Sequence, residues 1–311
     1  MSTYKYIIFF SFFIFSCEKN NSLIIESSNP ISISLCDGSV TKNSISIVSF
    51  NRLSTTSLNS VVKLVEITNP DIIALQESYE IGLEIADRFN YCFYGNPEKS
   101  TAILSKYRIE GVDEIYTKIL LNDSIYLNFF NVHLPAYPYQ PYDIRDRLIT
   151  TESQAIYQAE QARGEALVVL TSSILNVQQN NNMPIIVTGD FNEPSHLDWI
   201  TGAENPINFQ IDSTHFRVDW PSSNALLDLG LQDTYRELYP NPLINPGYTW
   251  TPYTALNEVH DRIDFIYYYD TNQHINLDAG NLIGPDHLSD IIINNYESDH
   301  RALLMVFNIA I

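Results

Sequence analysis

Four apolar runs of strand length each hand over to a polar or ionisable side chain. Residues 45–50 run into Asn51, and 71–76 into Glu77. Residues 125–132 end on His133, and 184–188 pass through Gly189 to Asp190, Phe191 and Asn192. Two later runs carry such groups near their start: Asp264 lies in the run 262–269, and Asp299 and His300 precede the one at 302–309. Ligands of open α/β sheets bind beside the carboxyl ends of strands. If the two late strands run antiparallel to the others, their beginnings lie at that same edge. Asn51, Glu77, Asp190, Asn192 and Asp299 offer oxygen only, the donor chemistry of Mg2+, Mn2+ and Ca2+. A cation held by such carboxylates binds a phosphate oxygen and offsets charge on a leaving group. Of the two histidines, one suits taking a proton from water and the other steadying phosphate oxygens. Asp264 is of the type that orients a histidine. Taken singly, a Glu after a strand is a cap and a Gly-Asp pair is a turn. Only the set points to chemistry.

The elements that must position these groups read as α/β. The strand-length runs are bounded by Asn, Gly, Pro and Asp. Between them, residues 60–68 place Val61, Leu64 and Val65 on one helical face, and 151–176 form a long helical stretch expected to be interrupted at Gly164. No fixed-period repeat and no composition break divides residues 45–311, so one domain is expected there.

The motifs, in order, are Ser49-Phe50-Asn51, Leu75-Gln76-Glu77, the segment 101–107, Asn131-Val132-His133-Leu134, Gly189-Asp190-Phe191-Asn192, Arg262-Ile263-Asp264-Phe265-Ile266 and Ser298-Asp299-His300-Arg301-Ala302. Their order from about residue 45 to the C-terminus resembles the endonuclease/exonuclease/phosphatase superfamily, which includes DNase I, exonuclease III, the sphingomyelinases and the inositol polyphosphate 5-phosphatases. The resemblance implies a four-layer α/β sandwich of two mixed β-sheets flanked by helices, and hydrolysis of phosphoesters with a divalent ion, generally Mg2+. It implies that Asn51 and Glu77 bind metal with Asp299 close by. Asp190 and Asn192 would hold the phosphate, a second ion or the leaving-group side. His300 paired with Asp264 would be the base for water, and His133 the phosphate-stabilising or acid group. Some nuclease members carry an acidic residue two places after the first Asn. Leu53 stands there in this chain, which disfavours tight two-metal binding and the repair-nuclease branch.

The net charge of −20 disfavours a polyanionic partner, because such a surface repels nucleic acid unless cations intervene. No basic stripe interleaved with aromatics is present, so a small or lipid-headgroup phosphate ester is the favoured substrate and a secreted nuclease the alternative. A reading of another class is a surface lipoprotein with a binding role on an inactive enzyme fold. The intact polar set argues against it. Beyond His133, residues 134–142 are rich in Pro and Tyr. Its tyrosines are suited either to stacking on a sugar or base or to packing as a stiff connector, and Arg145 to clamping a phosphate. His196 is expected to cap a helix beginning near Leu197, and Trp250 to be core or pocket wall.

The N-terminus has Lys5, an apolar run from Tyr6 to Ser16, and then Cys17. That run falls short of the roughly 20 residues that span a bilayer and has the layout of an export signal. Ser16 before Cys17 resembles a lipobox. The expectation is a signal peptide at 1–16, lipidation at Cys17, and a tether and extension over 17–44. The result would be an exported, membrane-anchored monomer at the periplasm or cell surface. Cys36 and Cys92 are then left either as a disulfide or as two buried thiols.

Overall fold

The computed structural model describes residues 24–26, 32–34, 36, 38, 40, 42–111, 115–200, 217–253 and 258–310. The expected signal peptide and Cys17 lie outside these described residues. Two mixed sheets stack face to face. In chain order the strands are β1 (Ile24–Glu26), β2 (Ser32–Ser34), β3 (Ser44–Asn51), β4 (Ile72–Gln76), β5 (Cys92–Asn96), β6 (Thr101–Ser105), β7 (Ile109–Gly111), β8 (Tyr116–Leu120), β9 (Tyr126–His133), β10 (Ile185–Asp190), β11 (Gln232–Asp233), β12 (Asp264–Tyr269), β13 (Ile275–Gly284), β14 (Ile291–Ile292) and β15 (Ala302–Ile309). One sheet has the order β1-β2-β5-β6-β4-β3-β15-β13-β14, and the other β11-β12-β10-β9-β8-β7.

The helices are α1 (Leu58–Thr68), α2 (Tyr79–Phe89), α3 (Gln140–Arg145), α4 (Glu152–Asn180), α5 (Pro221–Asp228) and α6 (Thr234–Leu238). Side chains alternate across a strand, so β3 sends Ile45 and Ile47 into the core between the sheets, with Ile72, Phe129, Ile186, Ile266 and Phe307. Its Val48 and Phe50 point the other way, onto Val61 and Leu64 of α1 and Ile85 of α2. On the far side, Val187 of β10 and Phe265 of β12 pack against Leu170 and Ile174 of α4 and Leu226 of α5. The result is four layers, helix–sheet–sheet–helix, as the motifs imply. Strands covered on both faces read as continuous apolar runs, which is why they stood out in the sequence.

Two expectations are corrected. The long helix is not interrupted at Gly164. It runs on to Asn180, because a single glycine costs only about 1 kcal/mol against Ala and the buried stripe of Ala155, Ala159, Leu167, Leu170 and Ile174 outweighs that. Strands β1 and β2 fall within the span expected as tether and extension, and β2 pairs antiparallel with β5. Among the described residues no helix begins near Leu197. Residues 196–198 form a turn, and the backbone N–H of His196 donates to Ser223 Oγ at 2.9 Å. Cys36 and Cys92 are joined as a disulfide with a Cα–Cα separation of 5.2 Å, which decides between the two alternatives.

Register places the motif ends together. β3 and β4 are parallel with Asn51 beside Gln76, and β9 and β10 are parallel with His133 beside Asp190. β12 is antiparallel to β10 with Asp264 beside Asp190, and β15 is antiparallel to β3. Gly189 permits the tight β9–β10 approach: its φ is +147°, and a Cβ there would lie 2.1 Å from the Val132 carbonyl oxygen.

A polar lock joins the sheets under this edge. Gln76 Nε2 donates to Asn131 Oδ1 at 2.6 Å, and Asn131 Nδ2 donates to the Leu75 and Ala102 carbonyls at 3.0 Å each. Asn131→Leu is expected to lower stability by about 2 kcal/mol or more, since several polar groups lose partners in a dry interface. Urea unfolding checks this, and an unchanged midpoint would show that the lock is dispensable.

Candidate active site

The strand ends deliver their side chains to one cleft of about 180 Å³. Asn51, Glu77, His133, Asp190, Asn192, Asp299 and His300 line it, with Tyr137, Tyr139, Tyr142 and Trp250 among the rest of the wall. Glu77 and Asn192 leave their strands with φ of 55° and 49°, and Leu53 with φ of 60°. These left-handed turns swing the chain off the sheet edge, at a cost that Asn tolerates best. Buried Arg52 holds the turn after Asn51 by donating to the carbonyls of Leu53, Ser54 and Thr56.

Asp190 is the hub. Its Oδ2 accepts from Asn51 Nδ2 at 2.8 Å and Asn192 Nδ2 at 3.2 Å, and its Oδ1 accepts from the Asn192 backbone N–H at 2.8 Å. His133 Nε2 lies 3.6 Å from Asp190 Oδ2 and His300 Nε2 lies 3.8 Å from it. Asp264 is not on the wall. It lies behind His300, 2.8 Å from its Nδ1. Glu77 accepts from the Ser54 backbone N–H at 2.8 Å and from Asn51 Nδ2 at 3.3 Å. Asn51 thus spends its NH2 on two carboxylates, and its Oδ1 accepts from the Leu53 N–H at 3.0 Å.

Electrostatics follows from this crowding. Burial would lower the pKa of His300, but Asp264 and Asp190 outweigh it and push it up to about 10. Burial raises Asp190, with Asp264 adding to the rise and His300, His133 and Asn51 opposing it. Burial likewise raises Asp299. Glu77 is lowered: burial works against this, but the Ser54 N–H, the Asn51 amide and the two histidines prevail. Asp190, Asp264 and His300 bring one ligand atom each within 4.8 Å of one another, a spacing a cation accepts. In that trio His300 Nδ1 faces Asp264, which leaves Nε2 directed toward Asp190 and the cleft.

Sequence reasoning missed the groups that set these side chains. Thr249 Oγ1 accepts from the N–H groups of Ile263 and Asp264, both at 3.0 Å, fixing the start of β12. Ser298 Oγ donates to the Asn51 carbonyl at 2.8 Å and accepts from the His300 N–H at 3.0 Å, tying two motifs together. Ser298 stood inside a recognised segment and Thr249 beside Trp250, but neither hydroxyl signals its partner. Trp250 is pocket wall, its ring 4.9 Å from that of His300. Arg145 does not line the cleft. Its guanidinium pairs with Asp146 at 2.8 and 2.9 Å and lies 4.8 Å from the Tyr142 ring centroid, so it meets the cleft through that ring. Asp261, buried beneath the wall, accepts from Tyr139 Oη at 2.8 Å and Trp199 Nε1 at 2.9 Å.

Residues 48–300 match the model of the Endonuclease/Exonuclease/phosphatase family. An uncharacterized protein of Caenorhabditis elegans is 27% identical over 255 residues, covering 73% of this chain and 79% of its own length. Among solved structures, humanized D. rerio TDP2 superposes with a TM-score of 0.55 at 17% identity, over 86% of this chain and 100% of that one. The Neisseria 3′ phosphatase NExo bound to a product DNA hairpin gives 0.55 at 16% identity, over 84% and 98%. The human Nocturnin catalytic domain with a bound sulfate gives 0.52 at 15% identity, over 86% and 96%. At these identities the likeness shows a common fold.

Asp261 yields a pH prediction. Burial raises its pKa from 3.8 to about 7, against the lowering by Trp199 and Tyr139. Below the unfolded value both states are protonated and the group contributes nothing. Between about pH 4 and 7 the native state binds more protons, so stability falls as pH rises, by at most about 1.4 kcal/mol per unit. Above about 7 the loss is complete. Asp261→Asn keeps an acceptor for Trp199 and gives Tyr139 a donor. Its melting temperature relative to wild type is expected to climb across pH 4–7 and then level off. A difference independent of pH would refute the assignment.

Proposed function

We propose that this chain, which belongs to the endonuclease/exonuclease/phosphatase family, is a divalent-cation-dependent hydrolase of small phosphoesters. The observation that carries the reading is the convergence of Asn51, Glu77, His133, Asp190, Asn192, Asp299 and His300 on one cleft, with Asp264 behind His300.

The donors fit a hard cation. Asp299 Oδ1 is buried with no hydrogen-bond partner. Glu77 shares the cleft with it and keeps a lowered pKa. Glu77 and Asp299 would hold Mg2+, with Mn2+ or Ca2+ meeting the same chemistry. Asn51 would join through its carboxamide oxygen once the amide turned over. When bound, the cation would polarise a phosphate oxygen and offset the carboxylate charge that keeps the proton on His300.

The chain's own groups do the rest. Asp264 fixes the His300 ring through Nδ1 and leaves Nε2 facing the cleft, where it exchanges a proton with the attacking water. Asp190, 3.8 Å from that Nε2, offsets the charge of the protonated ring. His133, on the other side of Asp190, steadies the phosphate oxygens, and the Asn192 amide orients Asp190.

The small cleft, its lining without Lys or Arg among the described residues, and the net charge of −20 favour a small or headgroup ester over duplex DNA. A nuclease is the second reading; the fold neighbour NExo, a 3′ phosphatase holding a product DNA hairpin, supports a DNA ligand but not strand cleavage. Export with an anchor at Cys17 remains our proposal from the leader. The Cys36–Cys92 bond supports an oxidising compartment.

Hydrolysis of bis-p-nitrophenyl phosphate and p-nitrophenyl phosphate with Mg2+ or EDTA tests the activity, and plasmid nicking tests the nuclease reading. Asp190→Ala and His300→Ala are each expected to lower kcat by about a hundredfold or more with the fold intact. Glu77→Gln should raise the Mg2+ concentration needed for half-maximal rate. Wild-type rates from either alanine variant, or full activity in EDTA, would sink the proposal.

A further inference from the structure

The chemistry above accounts for the acidic side of the cleft but not for its aromatic side. Resting on the phosphoesterase reading, we propose that Tyr137, Tyr142 and Trp250 form a subsite for an aromatic ring carried by the alcohol of the phosphoester.

Tyr137, Tyr142 and Trp250 line the same cleft as the carboxylates and histidines, so a ring held there is joined to a phosphate at the strand ends. Tyr137 is 74% exposed, although aromatic rings gain most from burial. Its loop is nonetheless fixed from beneath. Buried Arg163 of α4 donates to the Pro138 carbonyl at 3.1 Å, the Ala136 carbonyl at 3.5 Å and Gln140 Oε1 at 2.8 Å. Tyr139 Oη donates to Asp261, and Tyr142 Oη donates to Glu258. Tyr139 and Tyr142 meet edge to face with centroids 5.1 Å apart. Buried polar anchors thus immobilise a loop that holds one tyrosine ring in water. The ordering is done before a ligand arrives, which is how a preorganised platform raises affinity.

The occupant's chemistry follows from the lining. Among the described residues no Lys or Arg lines the cleft to receive a second phosphate, whereas Tyr137, Tyr139, Tyr142 and Trp250 do line it. Arg145 lies over the Tyr142 ring, paired with Asp146, so the guanidinium braces that ring. A flat aromatic ring stacks on such faces, and a saturated ring of equal size does so less well.

Calorimetric titration in Mg2+ with benzylphosphonate, cyclohexylmethylphosphonate and ethylphosphonate tests this. Wild type is expected to bind the benzyl ligand about ten-fold more tightly than the cyclohexylmethyl one. Tyr137→Ala should abolish that preference at an unchanged melting temperature, and Tyr137→Phe should keep it. A parallel pair, the methylenephosphonate isosteres of adenosine 5′-monophosphate and ribose 5-phosphate, separates a nucleotide source from an aryl ester. Equal or undetectable binding of the phosphonates, or a benzyl preference that survives Tyr137→Ala, overturns the subsite. Ring preference in a protein that hydrolyses no phosphoester would remove the catalytic reading and keep the subsite. Hydrolysis without preference does the reverse.

Discussion

Gathering four carboxylates around one cleft is the constraint on which the rest of the structure depends. Glu77, Asp190, Asp264 and Asp299 repel one another, and their burial removes the water that would screen them. Two histidines and two carboxamides compensate. His300 lies between Asp264 and Asp190, while Asn51 and Asn192 both aim amide hydrogens at Asp190 Oδ2. The repulsion left over is what makes the place suited to a cation. Removing a compensating group leaves a buried charge uncovered, so these residues are coupled and their effects should not add.

Holding such a cluster requires a frame that does not relax away from it. Two sheets stacked through an apolar core, with helices outside, provide it. The parallel pairs β3–β4 and β9–β10 set two chemical ends in each sheet side by side. The Gln76–Asn131 lock then joins those sheets directly below the cleft, where apolar packing alone would let them slide. Arg163 and Asp261 extend the same device to the aromatic wall. In each case a buried polar group pairs with a part of the chain distant in sequence. The cost of leaving it unpaired fixes the geometry.

Much of this was legible in the chain. Strands buried on both faces produce uninterrupted apolar runs, and four of these ended, while two others began, on side chains able to bind a cation or move a proton. Asn51, Glu77, His133, Asp190, Asn192, Asp299 and His300 were identified in that way and do share a cleft. Helix interruption at Gly164 was a misreading, because local propensity is weak against a long buried stripe. Arg145 was read as a phosphate clamp from its place after the Tyr-rich loop. Its guanidinium pairs with the neighbouring Asp146, which no periodicity reveals.

The chain by itself determined which chemical groups exist, the order in which they occur, and that each lies at the end or start of a strand. Those are local properties, set by residue type and a two-residue period. Tertiary structure alone decided that Asp264 stands behind His300 while Asp190 stands in front, that Thr249 and Ser298 hold the strand ends in place, and that Cys36 bonds to Cys92. These are contacts between segments far apart in sequence. They depend on strand register and on how one sheet sits over the other, and a one-residue slip would send every side chain to the opposite face.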